Sequence, residues 1–321
     1  MTKTIAGIHH VTAIASDPQQ NLDFYAGVLG LRLVKITINF DDPGSYHFYY
    51  GDALGQPGSV LTFFPWPGAQ RGRIGTSQVS VTSFSVPQSS FSYWQDRLKE
   101  HGVQTDASTR FGEPVLSFTD GDGLWLELIG AATPDERLAW SGGPVPGEHA
   151  IRGFHSATLS EEGYERTAKL LTETMGLHLL QEEGNRFRYA AGDGGPGATV
   201  DVVCQPGAPH GLMGAGTVHH IAWRAADDAA QLAWRAELVR RGLNVSPVMD
   251  RQYFHSIYYR EPGGILFEIA TDAPGFTWDE SPETLGTHLK LPPWLESYRS
   301  RIEGALPPLR LPHAINTSSS A

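Results

Sequence analysis

Residues 216–246 read GTVHHIAWRAADDAAQLAWRAELVRRGLNVS, and residues 75–105 read GTSQVSVTSFSVPQSSFSYWQDRLKEHGVQT. Both segments predict a short alternating strand, an amphipathic helix that ends at a glycine, and then further strands. The last strand of each copy alternates apolar residues with one carboxylate, which is Glu268 in ILFEIAT and Glu127 in LWLELIG. Because self-similarity of this length marks a repeated folding unit, the repeat decides the fold class.

A second pair of segments repeats in the same way. Residues 7–34 (GIHHVTAIASDPQQNLDFYAGVLGLRLV) and residues 153–180 (GFHSATLSEEGYERTAKLLTETMGLHLL) both predict a strand, a helix, a Gly-Leu cap and a strand. The strand segments SYHFYYGD and RFRYAAGD follow them. The sequence therefore predicts four units with a βαβββ order, over about residues 5–67, 74–131, 150–206 and 215–272.

A unit of this kind buries only one face of its sheet, so it needs a partner unit to complete a core. The predicted fold class is α+β, with four βαβββ modules in two pairs, each pair curved around a cavity. The predicted parts are an N-terminal domain (1–131), a linker rich in Pro and Gly (132–149), a C-terminal domain (150–272) and a C-terminal extension (273–321). The C-terminal extension is expected to wrap the body, with one short helical stretch and a disordered end, NTSSSA.

The composition excludes several classes of protein. The chain has 321 residues, of which 40% are hydrophobic and 18% charged, and its formal net charge is −11. An acidic surface repels phosphate backbones, so nucleic acid is not an expected partner. No apolar run is long enough to span a bilayer, and the N-terminus lacks a signal-peptide pattern. With Cys204 as the single cysteine, a reducing cytoplasm is the expected compartment.

Two doubled histidines, His9-His10 and His219-His220, stand at the start of the first strand of a unit. Adjacent strand residues point to opposite faces, so one histidine of each pair can face the cavity while the other supports it. Glu268 lies between apolar residues on a final strand, where a carboxylate is costly unless it is paired or metal-bound. Strand histidines are more often satisfied core or surface residues. Two pairs at equivalent strand starts, together with an inward glutamate, instead favour the two-histidine, one-carboxylate site of non-haem Fe(II).

The repeats provide an internal comparison for this site. Aligning the copies places Ser156 where His10 lies and Val79 where His220 lies, and only Glu127 matches Glu268. One metal per chain is therefore predicted. Glu127 then needs another partner, either an arginine or a set of backbone amides. Because the ligands come from the first and last units, the first module must pack against the fourth and the second against the third.

The chain resembles the vicinal oxygen chelate superfamily of glyoxalases, bleomycin-resistance proteins and extradiol dioxygenases over roughly residues 5–272. Within it, GIHHVT, VHHIAW, SYHFYYGD and RQYFHSIYYREPGGILFEIATD resemble the hydroquinone ring-cleaving branch, which includes the 2,6-dichlorohydroquinone and methylhydroquinone 1,2-dioxygenases. The resemblance implies that the second histidine of each pair and the strand glutamate bind the metal, and that five further residues surround it. The implied ligands are His10, His220 and Glu268, and the implied catalytic residues are His9, Thr12, His219, Arg251 and Tyr258.

The predicted activity is Fe(II)-dependent opening of a hydroquinone-type ring with O₂, with Mn(II) as the other metal that these ligands suit. The expected partners are a small aromatic diol and O₂; a homo-oligomer is left open. His9 or His219 is the candidate proton carrier. The alternatives are a catechol extradiol dioxygenase, a glyoxalase-type metal isomerase and a non-catalytic protein that sequesters a ligand. Alternative roles also remain for Arg251 (a salt bridge), Tyr258 (core packing) and His255 (strand structure or site lining).

Overall fold

In the computed structural model, residues 5–131 and 135–311 are described. Each of the four repeats folds in the predicted order, as a strand, a helix and three strands. The first module comprises β1 (Ile8–Ala15), α1 (Pro18–Leu22) with a π-helical turn (Asp23–Val28), β2 (Arg32–Asn39), β3 (Asp42–Gly51) and β4 (Val60–Pro65). The second comprises β5 (Gln78–Val86), a 3₁₀ turn (Gln88–Ser90), α2 (Phe91–Glu100), β6 (Asp106–Arg110), β7 (Glu113–Thr119) and β8 (Trp125–Gly130).

The second half repeats this order and ends in the extension. The third module comprises β9 (Gly153–Glu161), α3 (Glu165–Lys169) with a π-helical turn (Leu170–Thr174), β10 (His178–Glu183), β11 (Arg186–Ala190) and β12 (Thr199–Cys204). The fourth comprises β13 (Thr217–Ala225), α4 (Asp228–Arg240), β14 (Met249–Asp250), β15 (Phe254–Arg260) and β16 (Leu266–Pro274). The extension contains 3₁₀ turns (Phe276–Trp278 and Pro293–Tyr298) and α5 (Arg299–Ala305).

The strands form two eight-stranded sheets that each combine two modules. The first sheet has the order β14-β15-β16-β13-β1-β4-β3-β2, and the second has the order β10-β11-β12-β9-β5-β8-β7-β6. The first module is therefore paired with the fourth, and the second with the third, which confirms the predicted pairing and the α+β fold class. In each sheet, the first strands of the two modules meet antiparallel at the centre. In the first sheet, this pairing of β1 with β13 brings residues from the two ends of the chain together.

Both doubled histidines lie at β-bulges. Ile8 is opposite Trp223 and His10 is opposite Ala222, so His9 is the extra residue on β1. A second bulge follows on β13, where Thr12 is opposite His220, Ala13 is opposite Val218, and His219 is extra. The extra residue of a bulge breaks the strict alternation of side chains between the two faces of the sheet. The two histidines of each pair therefore contact each other instead of pointing to opposite faces.

The register of the second sheet corrects one predicted equivalence. Val81 is opposite Thr158, just as His220 is opposite Thr12 in the first sheet. The prediction that Val79 takes the place of His220 is wrong, and Val81 does so. The alignment failed because β5 begins three residues after Gly75 and β13 begins one residue after Gly216, so matching the glycines shifts the strands by two.

The C-terminal extension packs on the first module. Lys35 is fully buried on β2, and its Nζ lies 2.6 Å from Asp279 Oδ1 and also pairs with Glu280. Leu289 forms an isolated bridge with Ile36 on the same strand. The predicted disordered end, NTSSSA, lies outside the described residues. None of the helices that the structure describes is long and apolar enough to cross a membrane.

Candidate metal centre

Three side chains from adjacent strands converge at the inner face of the first sheet. His10 on β1, His220 on β13 and Glu268 on β16 are all buried, and their candidate ligand atoms lie within 4.8 Å of one another. His10 Nε2 lies 3.3 Å from His220 Nε2 and 3.3 Å from Glu268 Oε2. His220 Nε2 lies 2.9 Å from the same carboxylate oxygen. The three atoms thus surround one point, as ligands of a single ion would.

Glu268 is a buried carboxylate with one oxygen available. Burial raises the pKa of this group, but the neighbouring His10 and His220 more than offset it and hold the pKa well below its usual range. Its Oε1 accepts a hydrogen bond from Ser256 Oγ at 2.5 Å. Its Oε2 is buried and has no hydrogen-bond donor among residues 5–131 and 135–311. A buried anionic oxygen without a donor is costly, and a bound cation would satisfy it.

His9 sets the tautomer of His10. Burial, aided by the nearby His10, lowers the pKa of His9 to about 3, so the ring is neutral. Its Nε2 lies 3.1 Å from the carbonyl oxygen of Thr271, which can only accept, so Nε2 carries the proton. Its Nδ1 must then accept from His10 Nδ1, 2.9 Å away. In the neutral form of the ring, that hydrogen bond leaves a lone pair on His10 Nε2 directed at the centre, and this is the form that binds a metal.

His219 stands beside His220 in the same way. Their Nδ1 atoms are 2.7 Å apart, and burial lowers the pKa of His219 to about 3. Burial also lowers the pKa of His220. When His220 donates its Nδ1 proton to His219, its Nε2 presents a lone pair beside Glu268. Each doubled histidine therefore supplies one candidate ligand and one supporting ring.

Arg251 and Tyr258 lie on one side of the centre. Arg251 Nε donates to the Tyr258 hydroxyl at 3.2 Å, and its guanidinium also pairs with Asp41 Oδ2 at 3.2 Å. Burial raises the pKa of Tyr258, so its hydroxyl is protonated at neutral pH. Burial lowers the pKa of Arg251, but Tyr258 and Asp41 outweigh it and raise the pKa above its ordinary value. The alternative predicted for Arg251, a salt bridge, is thus present at the same time as its position at the site.

A cavity of about 430 Å³ opens above the three converging side chains. Of the predicted site residues, Thr12, His219, Arg251 and Tyr258 line it, whereas His9 lies behind His10. His255 is turned away, and its Nδ1 lies 2.6 Å from Asp228 Oδ1. The other cavity-lining residues, which sequence reasoning did not select, are Asn39, Phe40, Asp41, Asp42, His47, Tyr49, Phe64, Trp66, Phe254 and Leu266.

Ser256 and His47 are polar residues whose roles sequence reasoning missed. Ser256 lies two residues before Tyr258 on β15, and therefore on the same strand face, and this spacing could have identified it. His47 sits inside the quoted SYHFYYGD motif, but an isolated strand histidine carries little information. Only the pairing of β3 with β4 brings it to Thr62.

The second sheet holds a different arrangement at the equivalent position. Ser156 and Val81 replace the two histidines, and Glu127 accepts two hydrogen bonds of 2.8 Å from the guanidinium of Arg110. Ser83 Oγ donates to the same carboxylate at 2.7 Å. Burial raises the pKa of Glu127, but Arg110 more than compensates and lowers it. The predicted arginine partner of Glu127 is confirmed.

Comparisons with known proteins agree with the fold. The sequence matches the family described as the Glyoxalase/Bleomycin resistance protein/Dioxygenase superfamily over residues 7–128 and 153–269. The crystal structure of a "putative dioxygenase" from Bacillus subtilis superposes with a TM-score of 0.93 at 49% identity, covering 97% of this chain and 99% of that one. Glyoxalase I from Zea mays shares the fold, with a TM-score of 0.64 at 14% identity, covering 88% of this chain and 97% of that one.

Two curated relatives match over nearly their whole length. The "Putative ring-cleaving dioxygenase MhqO" of Bacillus subtilis is 50% identical, covering 97% of this chain and 99% of the relative. The "Chlorohydroquinone/hydroquinone 1,2-dioxygenase" of Sphingobium indicum is 36% identical, covering 94% of this chain and 96% of the relative. The chain therefore belongs to the glyoxalase, bleomycin resistance protein and dioxygenase superfamily.

Proposed function

We propose that this protein is an Fe(II)-dependent dioxygenase that opens hydroquinone-type aromatic rings, with His10, His220 and Glu268 as the metal ligands. The observation that carries the proposal is the buried Oε2 of Glu268, which has no donor among the described residues and faces two imidazole nitrogens. Two imidazoles and one carboxylate suit Fe(II) and leave coordination positions open. Mn(II) fits the same donor atoms, so the ligands alone do not select the metal. Iron is proposed because of the type of reaction. The identity of the relatives supports the substrate class.

A metal held by His10, His220 and Glu268 would supply the redox chemistry that couples oxidation of the ring to reduction of O₂. The chain's own residues hold the substrate. Arg251 and Tyr258 form a fixed cation and a phenol donor at one side of the cavity, where they can bind a phenolate oxygen and stabilise its negative charge. Phe64, Trp66 and Phe254 provide apolar walls that suit an aromatic ring.

The imidazoles of His9 and His219 are proposed to keep the ligand rings in place. His219 also lines the cavity, so of the two it is the one whose ring can reach the substrate, and its lowered pKa of about 3 keeps that ring neutral. His9 donates to the Thr271 carbonyl and lies behind its ligand, which favours a supporting role. The single cysteine, Cys204, fits an enzyme of the reducing cytoplasm.

The alternatives are less well supported. A glyoxalase-type isomerase needs a carboxylate base beside the substrate. Asp41 and Asp42 are the two carboxylates among the described cavity-lining residues; Asp41 is already paired with Arg251, and Asp42 accepts a hydrogen bond from Ser45. A ligand-sequestering protein has no need for three converging ligands.

The test is oxygen uptake by protein loaded anaerobically with Fe(II), Mn(II) or Zn(II) and then given hydroquinones or catechols. Uptake with a hydroquinone and Fe(II), but not with redox-inactive Zn(II), is the expected result. Uptake only with catechols would overturn the substrate class, and uptake with neither class of diol would overturn the dioxygenase proposal.

A further inference from the structure

Four side chains from β1, β3 and β4 form a continuous hydrogen-bonded chain at the cavity wall. The Tyr49 hydroxyl lies 2.9 Å from His47 Nδ1, and His47 Nε2 lies 2.8 Å from Thr62 Oγ1. Thr62 Oγ1 lies 2.9 Å from Thr12 Oγ1. Tyr49, Thr62 and Thr12 are almost completely buried, and His47 is half-buried against the cavity. The chain therefore connects a buried phenol with a hydroxyl at the candidate metal centre.

One direction of hydrogen bonding through these four side chains leaves Thr12 as the donor that faces the cavity. Within the described part of the chain, the Tyr49 hydroxyl has His47 Nδ1 as its hydrogen-bond partner, and a buried phenol must place its proton on an acceptor. Tyr49 therefore donates to Nδ1, and the proton of the His47 ring lies on Nε2. His47 then donates to Thr62, and Thr62 donates to Thr12. The Thr12 oxygen accepts this hydrogen bond, and its own proton is left for an acceptor in the cavity.

Thr12 is placed to use that proton at the site. It lies two residues after His10 on β1, so both side chains face inward, and it is opposite His220 in the register. It also lines the cavity. An oxygen atom of a diol held near His10 and His220 would lie next to this hydroxyl.

We propose that His47 is a positioning residue that fixes Thr12 as a hydrogen-bond donor to an oxygen of the bound diol. The inference rests on the proposed function, because it takes the diol as the cavity's ligand. His47 acts through Thr62 and Thr12 and does not itself need to touch the substrate with a ring nitrogen, since both nitrogens are already engaged.

The second sheet offers an internal comparison. In its register, Thr158 and Asp201 take the places of Thr12 and Thr62, and Arg186 and Arg188 take the places of His47 and Tyr49. There Arg186 Nη1 donates to Thr158 Oγ1 at 3.0 Å and pairs with Asp201 at 3.0 Å. The neutral, directional chain thus occurs in the sheet that has the three converging ligands, and ion pairs replace it in the sheet that has Ser156 and Val81 in place of His10 and His220.

The test compares His47→Phe, which breaks the chain, with His47→Gln, whose amide can accept from Tyr49 and donate to Thr62. Dissociation constants for hydroquinone are measured anaerobically on metal-loaded protein, beside kcat and KM in air. His47→Phe and Thr12→Val should each weaken binding by roughly 3- to 10-fold, the effect of one lost hydrogen bond. His47→Gln and Thr12→Ser should remain within about twofold of the wild type.

The double variant Thr12→Val with His47→Phe separates this role from simple packing. If His47 acts through Thr12, the double variant should bind no more weakly than Thr12→Val alone. Additive losses, or full affinity in His47→Phe, would overturn the inference. Tyr49→Phe breaks the chain at its far end and should weaken binding in the same direction, so the test stands even if His47→Phe does not fold. A wild-type protein that takes up no oxygen with hydroquinone would instead contradict the proposed function.

Discussion

Arg110 donates two hydrogen bonds of 2.8 Å to the carboxylate of Glu127, whereas Arg251, which lies equally far before Glu268 in the chain, is directed to Tyr258 and Asp41. The residue opposite each glutamate explains the difference. Ser117 is opposite Glu127, and the larger Tyr258 is opposite Glu268, where its hydroxyl accepts from Arg251. One glutamate is therefore neutralised by arginine, and the other remains available to a cation.

Replacing Glu268 should abolish metal binding, whereas the same replacement at Glu127 should not. Glu268→Gln removes the anionic ligand and leaves two imidazoles, which hold Fe(II) poorly. Glu127→Gln changes a carboxylate that is already paired with Arg110. The measurement is metal content after anaerobic loading with Fe(II) and gel filtration. We expect about one metal per chain in the wild type and in Glu127→Gln, and almost none in Glu268→Gln.

Metal loss in both variants, or in neither, would contradict the assignment of a single site in the first sheet. Circular dichroism of each variant controls for misfolding. Glu268→Asp offers a second comparison, because it keeps the charge and shortens the reach of the ligand.

Glu127→Gln should nevertheless reduce stability. The pair with Arg110 is largely buried, and a neutral amide leaves the guanidinium without its counter-charge. Breaking such a pair from one side costs about 3 kcal/mol, in the lower part of the range for buried pairs because Arg110 is partly exposed. Urea unfolding of the metal-free protein measures the loss. A change below about 0.5 kcal/mol would mean that the ion pair contributes little to the second sheet.

Ser256→Ala should weaken metal affinity without removing a ligand. The Ser256 hydroxyl donates to Glu268 Oε1 at 2.5 Å and so orients the carboxylate toward His10 and His220. Loss of an orienting partner of a metal ligand typically reduces affinity by roughly 10- to 100-fold. Competition with a metal chelator measures the affinity. Ser83→Ala removes the matching donor to Glu127 and should leave affinity unchanged; an equal loss in both variants would point to a general destabilisation.

The sequence was sufficient for the fold class and for the three converging residues because the repeats could be compared with one another. The module order follows from the repeats, and the pairing of the end modules follows from where His10, His220 and Glu268 lie. The register of the paired strands was harder to predict from the sequence. Aligning the glycines selected Val79 instead of Val81, because the number of residues between each glycine and the start of its strand is not visible in a single sequence.

Contacts between strands account for the other misses. The bulges that bring His9 against His10 and His219 against His220 depend on how β1 and β13 pair. The prediction based on strict alternation placed the two histidine rings of each pair on opposite faces of the sheet. The role of His47 can be recognised only once β3 lies beside β4, because its hydrogen-bond partner Thr62 is on the neighbouring strand. Such partners are a property of the assembled sheet.

A buried carboxyl pair joins the third and fourth modules and should make stability depend on pH. Glu161 and Glu261 are both buried; Glu261 accepts from Thr167 Oγ1 and from two backbone amides, so it is the better satisfied carboxylate. Burial, reinforced by the charge of Glu261, raises the pKa of Glu161 from 4.5 to about 8, with Arg166 opposing the shift. The folded state therefore holds a proton on Glu161 that the unfolded state releases near pH 4.5.

Because the folded pKa is raised, the stabilising contribution of protonated Glu161 is complete below pH 4.5 and is lost as pH rises to about 8. Glu161→Gln keeps a neutral side chain at every pH, so its free energy of unfolding should fall less than that of the wild type between pH 5 and 9. The variant should be the more stable protein at pH 9. Urea unfolding at pH 5, 7 and 9 measures the difference, with the exposed neighbour Glu162→Gln as the matched control. Parallel pH profiles for the wild type and Glu161→Gln would show that Glu161 is already ionised in the folded protein.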